Sequence, residues 1–306
     1  MASIYTHRDS NIYKTWLLIA VFLALFVGVG YILSISLNTP IIFIVAIVLS
    51  LVMSFGSYWW SDSLVLKMTR AKPLQKEEHP EIYNIVENLC ITAGLPMPKL
   101  YILHESAPNA FATGRNPNHA VIAVTTGLLE RLDKTELEGV LAHELAHIGN
   151  RDILISTVVV VLAGTIVYVT DFLFHGLLFG AFDDDDGIGL PQIAIGIAAL
   201  VIAALFATII KLAISRKREY LADASGALLT RYPEGLASAL EKIASDPNKL
   251  SVANDATAHL YFENPFKGDR KDKKISFMAK LFMTHPPVED RIKALRGTQS
   301  EQDTPQ

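Results

Sequence analysis

Residues 143–152 read HELAHIGNRD. His143 and His147 are four residues apart, one helical turn, so on a helix both imidazoles leave the same face and can reach one metal ion while Glu144 addresses a water. The alternative is two solvated helix histidines, which would need no glutamate between them. The H-E-x-x-H pattern points to a zinc protease. The apolar run that begins at Ile153 puts its site just beneath a bilayer.

The composition agrees with a chain that is part membrane and part soluble. It has 306 residues, 51% of them hydrophobic, and a mean hydropathy of +0.32, high for a soluble enzyme. A net charge of −4 gives no footprint for nucleic acid, so none is expected as a partner. Cys90 is the only cysteine, which excludes an intramolecular disulfide and reads as a buried small hydrophobe.

Four apolar stretches reach the roughly 20 residues needed to cross a hydrocarbon core of about 30 Å. They are 16–37, 40–60, 153–170 and 190–210. The third is the shortest and has an alternative as a core helix, which would leave the fourth without a partner. No Lys or Arg occurs between Lys14 and Lys67 or between Arg151 and Lys211, whereas Arg8, Arg70, Lys72, Arg216, Lys217 and Arg218 also flank the spans. By the positive-inside rule the N-terminus and all these flanks are cytoplasmic, and the turns at Asn38–Thr39 and around Asp183–Asp186 face outward. The first stretch exceeds a signal peptide's usual apolar run and is followed by a second after a two-residue turn, so it reads as a retained anchor.

The rest, 61–152 and 215–296, is about 170 residues, enough for one compact core and thin for two. It is expected to be a single domain with the second membrane hairpin (153–214) inserted, following an N-terminal hairpin over 1–60. Helical spacing of Ile82, Ile85, Val86 and Leu89 predicts a helix over 80–93; Lys99–Leu103 and Ala120–Val124 read as strands. Asp133 and Glu136 make a capping box for the helix that carries H-E-x-x-H. Residues 233–243 form another helix, 245–274 a loop, and 297–306 a disordered polar tail.

A catalytic zinc site takes a third protein ligand and keeps an open position. The candidate is Glu219 in SRKREYLAD (215–223), with Asp223 one turn further on to hold a ligand imidazole in its tautomer. Taken alone, both carboxylates are as easily explained by ion pairs with Arg216, Lys217 or Arg218 on a solvated helix. Their position at the exit of the fourth span, on the same side as H-E-x-x-H, favours ligation.

With these blocks in order, namely NAFATG (109–114), HELAHIGNRD, SRKREYLAD and THPP (284–287) followed by Arg291, the chain resembles the HtpX family of membrane-embedded gluzincin metalloproteases. The resemblance implies one Zn²⁺ per chain held by His143, His147 and Glu219, catalysis by Glu144 and support from Asp223. Glu219 stands 72 residues beyond His147, and the inserted hairpin accounts for that length. The implied fold is α+β, mainly helical: a zincin-like metalloprotease domain with two transmembrane hairpins. The implied role is an inner-membrane endopeptidase that cleaves cytoplasmic segments of membrane proteins or unfolded polypeptides in quality control.

At 1.5 Å per residue the zinc should lie roughly 10 Å below the membrane boundary, within reach of such segments and not of peptide bonds inside the bilayer. His285 is the candidate donor to the developing oxyanion, with Arg291 as a second; His285 has an alternative as a helix cap. Asn109 and Ala110 are candidate substrate contacts, through strand addition at a sheet edge or through the Asn109 side chain, the alternative being an ordinary turn closed by Gly114. A CAAX prenyl protease shares the metal motifs but has more spans than four, and a non-catalytic scaffold would not need Glu144.

Overall fold

The computed structural model describes residues 4–180, 197, 201, 216–253, 257, 260–263 and 286–302. Helices α1 (Ile4–Ser36) and α2 (Ile41–Trp59) form the N-terminal hairpin. Ser10–Ser36 and α2 are each long and apolar enough to cross a membrane. They meet where Gly30 faces Ala46: a Cβ on Gly30 would lie 2.1 Å from that of Ala46. Such small-residue contacts hold helices together in lipid, where apolar burial alone contributes little. The opposite face of α2 exposes Ile41, Ile44, Val48, Leu51, Val52 and Phe55, a surface suited to acyl chains.

After α3 (Ser61–Met68) and β1 (Lys72–Pro73), α4 (Pro80–Ala93) begins with Pro80, whose missing N–H is not needed in a first turn. It ends at Gly94, whose φ of 65° suits glycine. Strands β2 (Lys99–Leu103), β3 (Ala110–Gly114) and β4 (Ala120–Thr125) then complete a sheet of order β1-β2-β4-β3, with β2 parallel and β3 antiparallel to β4. β3 lies where a turn was the alternative. Its period-two alternation is hidden in the sequence because both faces are buried, the pattern of a covered strand. Leu100, Ile102, Ala112 and Ile122 belong to the core under α4, and Leu103, Phe111 and Ala123 to a second core on the other face.

Helix α5 (Thr126–Arg131) leads to α6 (Lys134–Gly149), which carries H-E-x-x-H. The capping box is formed: the Asp133 carboxylate accepts from the N–H groups of Thr135 and Glu136, and Glu136 accepts from the Asp133 N–H at 2.9 Å. Asn150 and Arg151, the latter at φ 60°, then turn the chain through 83° into α7 (Asp152–Gly180).

The start of α7 matches the expected third span, yet Ile155, Val158, Val159 and Leu162 are fully buried, packed with Leu18, Phe22 and Phe26 of α1. Val160 closes the second face of the sheet. This half of α7 therefore has the surroundings of a core helix. Two helices qualify as spans on their own among the described residues, and α6 with α7 qualifies only as a bent pair. The expected fourth span, 190–210, lies outside the described residues apart from Ile197 and Val201.

Helices α8 (Arg216–Thr230), α9 (Pro233–Ser245) and α10 (Val288–Gln302) pack against one another, with α8 and α9 also against α6. A Cβ on Gly139 would meet the Leu236 nitrogen at 2.8 Å, so α9 lies directly on α6. Helix α10 continues into the stretch expected to be a polar tail. α10 runs past Gly297 to Gln302. A polar composition excludes a core, but a helix already nucleated can propagate through it.

Candidate metal centre

His143 and His147 leave α6 toward α8, and Glu219 in the first turn of α8 faces them. The two helices approach closely because Gly226 stands where any side chain would strike α6: a Cβ there would lie 2.9 Å from the His143 nitrogen. Glu219, Asp223 and Gly226 occupy positions i, i+4 and i+7, one stripe of α8.

The two Nε2 atoms are 3.1 Å apart, and Glu219 oxygens lie 3.9 Å from His143 Nε2 and 3.7 Å from His147 Nε2. Each residue offers a ligand atom within 4.8 Å of the others. Tetrahedral zinc with ligands at about 2.0–2.1 Å sets neighbouring ligand atoms about 3.3 Å apart, so this donor set can hold the ion with small adjustment. Two imidazole nitrogens at 3.1 Å also need a cation or a proton between them. Each Nδ1 has a carboxylate oxygen beside it: Asp223 lies 2.9 Å from His143 as an ion-pair contact, and Asp152 hydrogen-bonds His147 at 3.0 Å. That arrangement keeps the proton on Nδ1 and directs the Nε2 lone pairs inward. Glu144 is buried beside them, and its charge acts on His147.

The electrostatics separate the two imidazoles. Burial pushes His143 down to about 4, against the pull of the Asp223 carboxylate, which accepts from the imidazole. Burial acts the same way on His147, but the Asp152 hydrogen bond and the charges of Glu219, Asp152 and Glu144 outweigh it and leave that imidazole at about 9. Asp223 is buried, which alone would raise it; the Arg291 guanidinium and the His143 contact hold it at about 2.

Arg291, fully buried on α10, donates from Nε to Asp223 Oδ2 at 2.8 Å and from Nη2 to Oδ1 at 2.6 Å. Its Nη1 also reaches the Phe262 carbonyl at 3.4 Å, so the guanidinium is engaged by Asp223, the partner of His143, and by the segment beside β3. The pairing with Asp223 is absent from the sequence reading, which had no means of placing α10 behind α8. His285 lies outside the described residues.

Asn109 and Ala110 are buried rather than open to solvent. Residues 260–263 run along the outer edge of β3: Phe262 N–H donates to the Ala110 carbonyl at 2.8 Å, and the Asn109 side chain donates to the Glu263 carbonyl at 2.9 Å and accepts from its N–H at 3.2 Å. The Phe262 ring packs edge-on to His143 with centroids 5.0 Å apart. A bent piece of this chain, residues 260–263, thus occupies the sheet edge beside the candidate metal site. Sequence reasoning missed this strap, and it missed Asp152, although the latter stands in the quoted motif; the helix break at Asn150–Arg151 hid its relation to His147.

Residues 76–299 match the model of peptidase family M48. The chain is similar to the HtpX protease homologue of Syntrophobacter fumaroxidans, 46% identical over 93% of this chain and 98% of that one. It is likewise similar to that of Pyrococcus furiosus, 47% identical over 92% and 94%. The crystal structure of S. mikatae Ste24p aligns over 95% of this chain and 67% of that one at 17% identity and a TM-score of 0.45. An M48 match over most of the chain, with apolar helices ahead of a His–His–Glu cluster, makes this a membrane metalloprotease: the chain belongs to peptidase family M48 and to its HtpX group.

Proposed function

We propose that the chain is a zinc endopeptidase of the inner membrane that uses His143, His147 and Glu219 as metal ligands and cleaves cytoplasmic segments of membrane proteins, misfolded ones among them, in quality control. The observation that carries this reading is the convergence of three ligand atoms within 4.8 Å, with each imidazole backed by a carboxylate. Zinc bound there would supply a Lewis acid that polarises a peptide carbonyl and acidifies a water molecule.

Glu144 takes the proton of the attacking water and returns it to the leaving amine; its burial beside the ligands keeps that transfer short and out of bulk solvent. Asp223, fixed by the two Arg291 hydrogen bonds, holds His143 in its ligating orientation. His285 is the proposed donor to the developing oxyanion, since Arg291 is engaged elsewhere. The outer edge of β3, with Ala110 and the Asn109 carboxamide, is the proposed platform for substrate. The Ala110 carbonyl accepts from the Phe262 N–H as it would from an added peptide strand, and the Asn109 side chain grips the Glu263 main chain, so the strap would have to yield.

The soluble half follows spans whose basic flanks are cytoplasmic under the positive-inside rule, which supports loops and tails on that side as substrates. The test is casein hydrolysis by the purified protein with and without chelator, beside Glu144→Gln. Chelation should stop wild-type turnover. Glu144→Gln should retain zinc with turnover reduced to a few per cent or less, and substantial residual turnover would remove Glu144 as the base.

A further inference from the structure

Asp152 and Asn11 are the polar groups behind His147 that the mechanism leaves without a task. Asp152, the first residue of α7, places Oδ2 3.0 Å from His147 Nδ1. Its other oxygen accepts from Asn11 Nδ2 at 2.7 Å, and the same nitrogen reaches the Asn150 carbonyl at 3.1 Å. Asn11 belongs to α1, 141 residues away in sequence from Asp152. It is held in turn by a helix that packs along α7 through Leu18, Phe22 and Phe26. Both side chains are buried, so water cannot substitute readily for either. One carboxamide therefore ties both sides of the 83° bend, the C-terminal end of α6 that carries His147 and the start of α7, to the first membrane helix.

We propose that Asn11 and Asp152 are positioning residues of the metal centre, so that the N-terminal membrane helix is part of the zinc site and not only an anchor. Asp152 orients the His147 ring and fixes its proton on Nδ1. Asn11 orients Asp152 by supplying the donor that its second oxygen needs. Arg218 Nε, 3.6 Å from the same oxygen, adds charge but at a longer distance than the carboxamide. A displacement of α1 relative to α7 would reach His147 through two hydrogen bonds, which makes metal affinity depend on how the membrane helices are packed.

The inference rests on His147 being a zinc ligand. Zinc affinity, measured by competition with a chromophoric chelator on the full-length protein in detergent, reads it without recourse to activity. Asp152→Asn should weaken zinc about 10- to 100-fold, as expected for the partner of a ligand imidazole. Asn11→Ala and the near-isosteric Asn11→Leu should each weaken it roughly 3- to 10-fold, the size of one net hydrogen bond. The double variant Asn11→Leu/Asp152→Asn should be no weaker than Asp152→Asn alone, because Asn11 acts through Asp152. Asn11→Leu keeps the volume of the site, so it carries the test should Asn11→Ala fail to fold. Wild-type protein that binds no zinc would overturn the function proposed above. Wild-type protein that binds one zinc, with Asn11 variants that bind it equally well or with fully additive effects in the double variant, would overturn only this inference.

Discussion

Replacing Gly226 with alanine adds one methyl group at the place where α8 crosses α6. The new Cβ would lie 2.9 Å from the His143 nitrogen, 3.1 Å from its Cα and 3.3 Å from the Ala142 carbonyl carbon. All three are backbone atoms, so no rotamer change can relieve the contact. Restoring an ordinary separation of about 3.6 Å requires the helices to part by about 0.7 Å. Overpacking of this kind costs about 1–3 kcal/mol, offset by up to about 1 kcal/mol from the better helix propensity of alanine. Stability should therefore change little, with Tm lower by a few degrees. The metal site has less tolerance. Ligand distances must hold to about 0.2 Å, and Glu219 and Asp223 both ride on α8 while both histidines ride on α6. Zinc affinity should fall at least about 10-fold in the chelator competition, with turnover at saturating zinc also reduced, since a misplacement near 1 Å can cost about 100-fold. Gly226→Ala protein with wild-type zinc affinity and wild-type kcat would refute the claim that this glycine sets the spacing of the ligands.

Glu219→Ala should lose most bound zinc on dialysis against a weak chelator, whereas Asp223→Ala should lower affinity on the order of 10- to 100-fold and leave Arg291 buried without its partner; stoichiometric zinc in the Glu219 variant would exclude it as a ligand. Metal uptake should be pH-dependent: with His147 held at about 9 in the metal-free protein and His143 at about 4, zinc displaces one proton between those limits, so affinity should rise about tenfold per pH unit and level off above pH 9. The sign for folding is opposite, because a raised histidine stabilises the metal-free fold below its unfolded value near 6.5 and that contribution disappears as pH rises to about 9; thermal melts of apo protein showing no such loss would contradict the assignment. A cysteine at Asp184 should react with an impermeant thiol reagent from outside the cell and one at Lys274 only after the membrane is opened, with Cys90 buried in both; the reverse pattern would invert the topology.

Much of this protein was legible in one dimension. The i, i+4 pairing of His143 and His147 is a local property of any helix, and the Asp133–Glu136 capping box is encoded within four residues. The α4 stripe and the strands β2 and β4 follow from residues that are neighbours in sequence, so their periodicity could be read directly. Glu219 could be read as a candidate but not separated from a surface ion pair, because its partners are on another helix. Tertiary structure alone decided the rest. AFATG became an edge strand because α6 and α7 cover it, and Arg291 became the support of Asp223 because α10 packs behind α8. Asp152 and Asn11 meet because α7 turns back along α1 after the bend at Arg151, and Gly226 matters only because α6 crosses there. The physical reason is common to all four. Sequence periodicity reports which face of an element is apolar, whereas the identity of the element that covers that face depends on contacts between residues that are distant in sequence, 68 positions for Arg291 with Asp223 and 141 for Asn11 with Asp152.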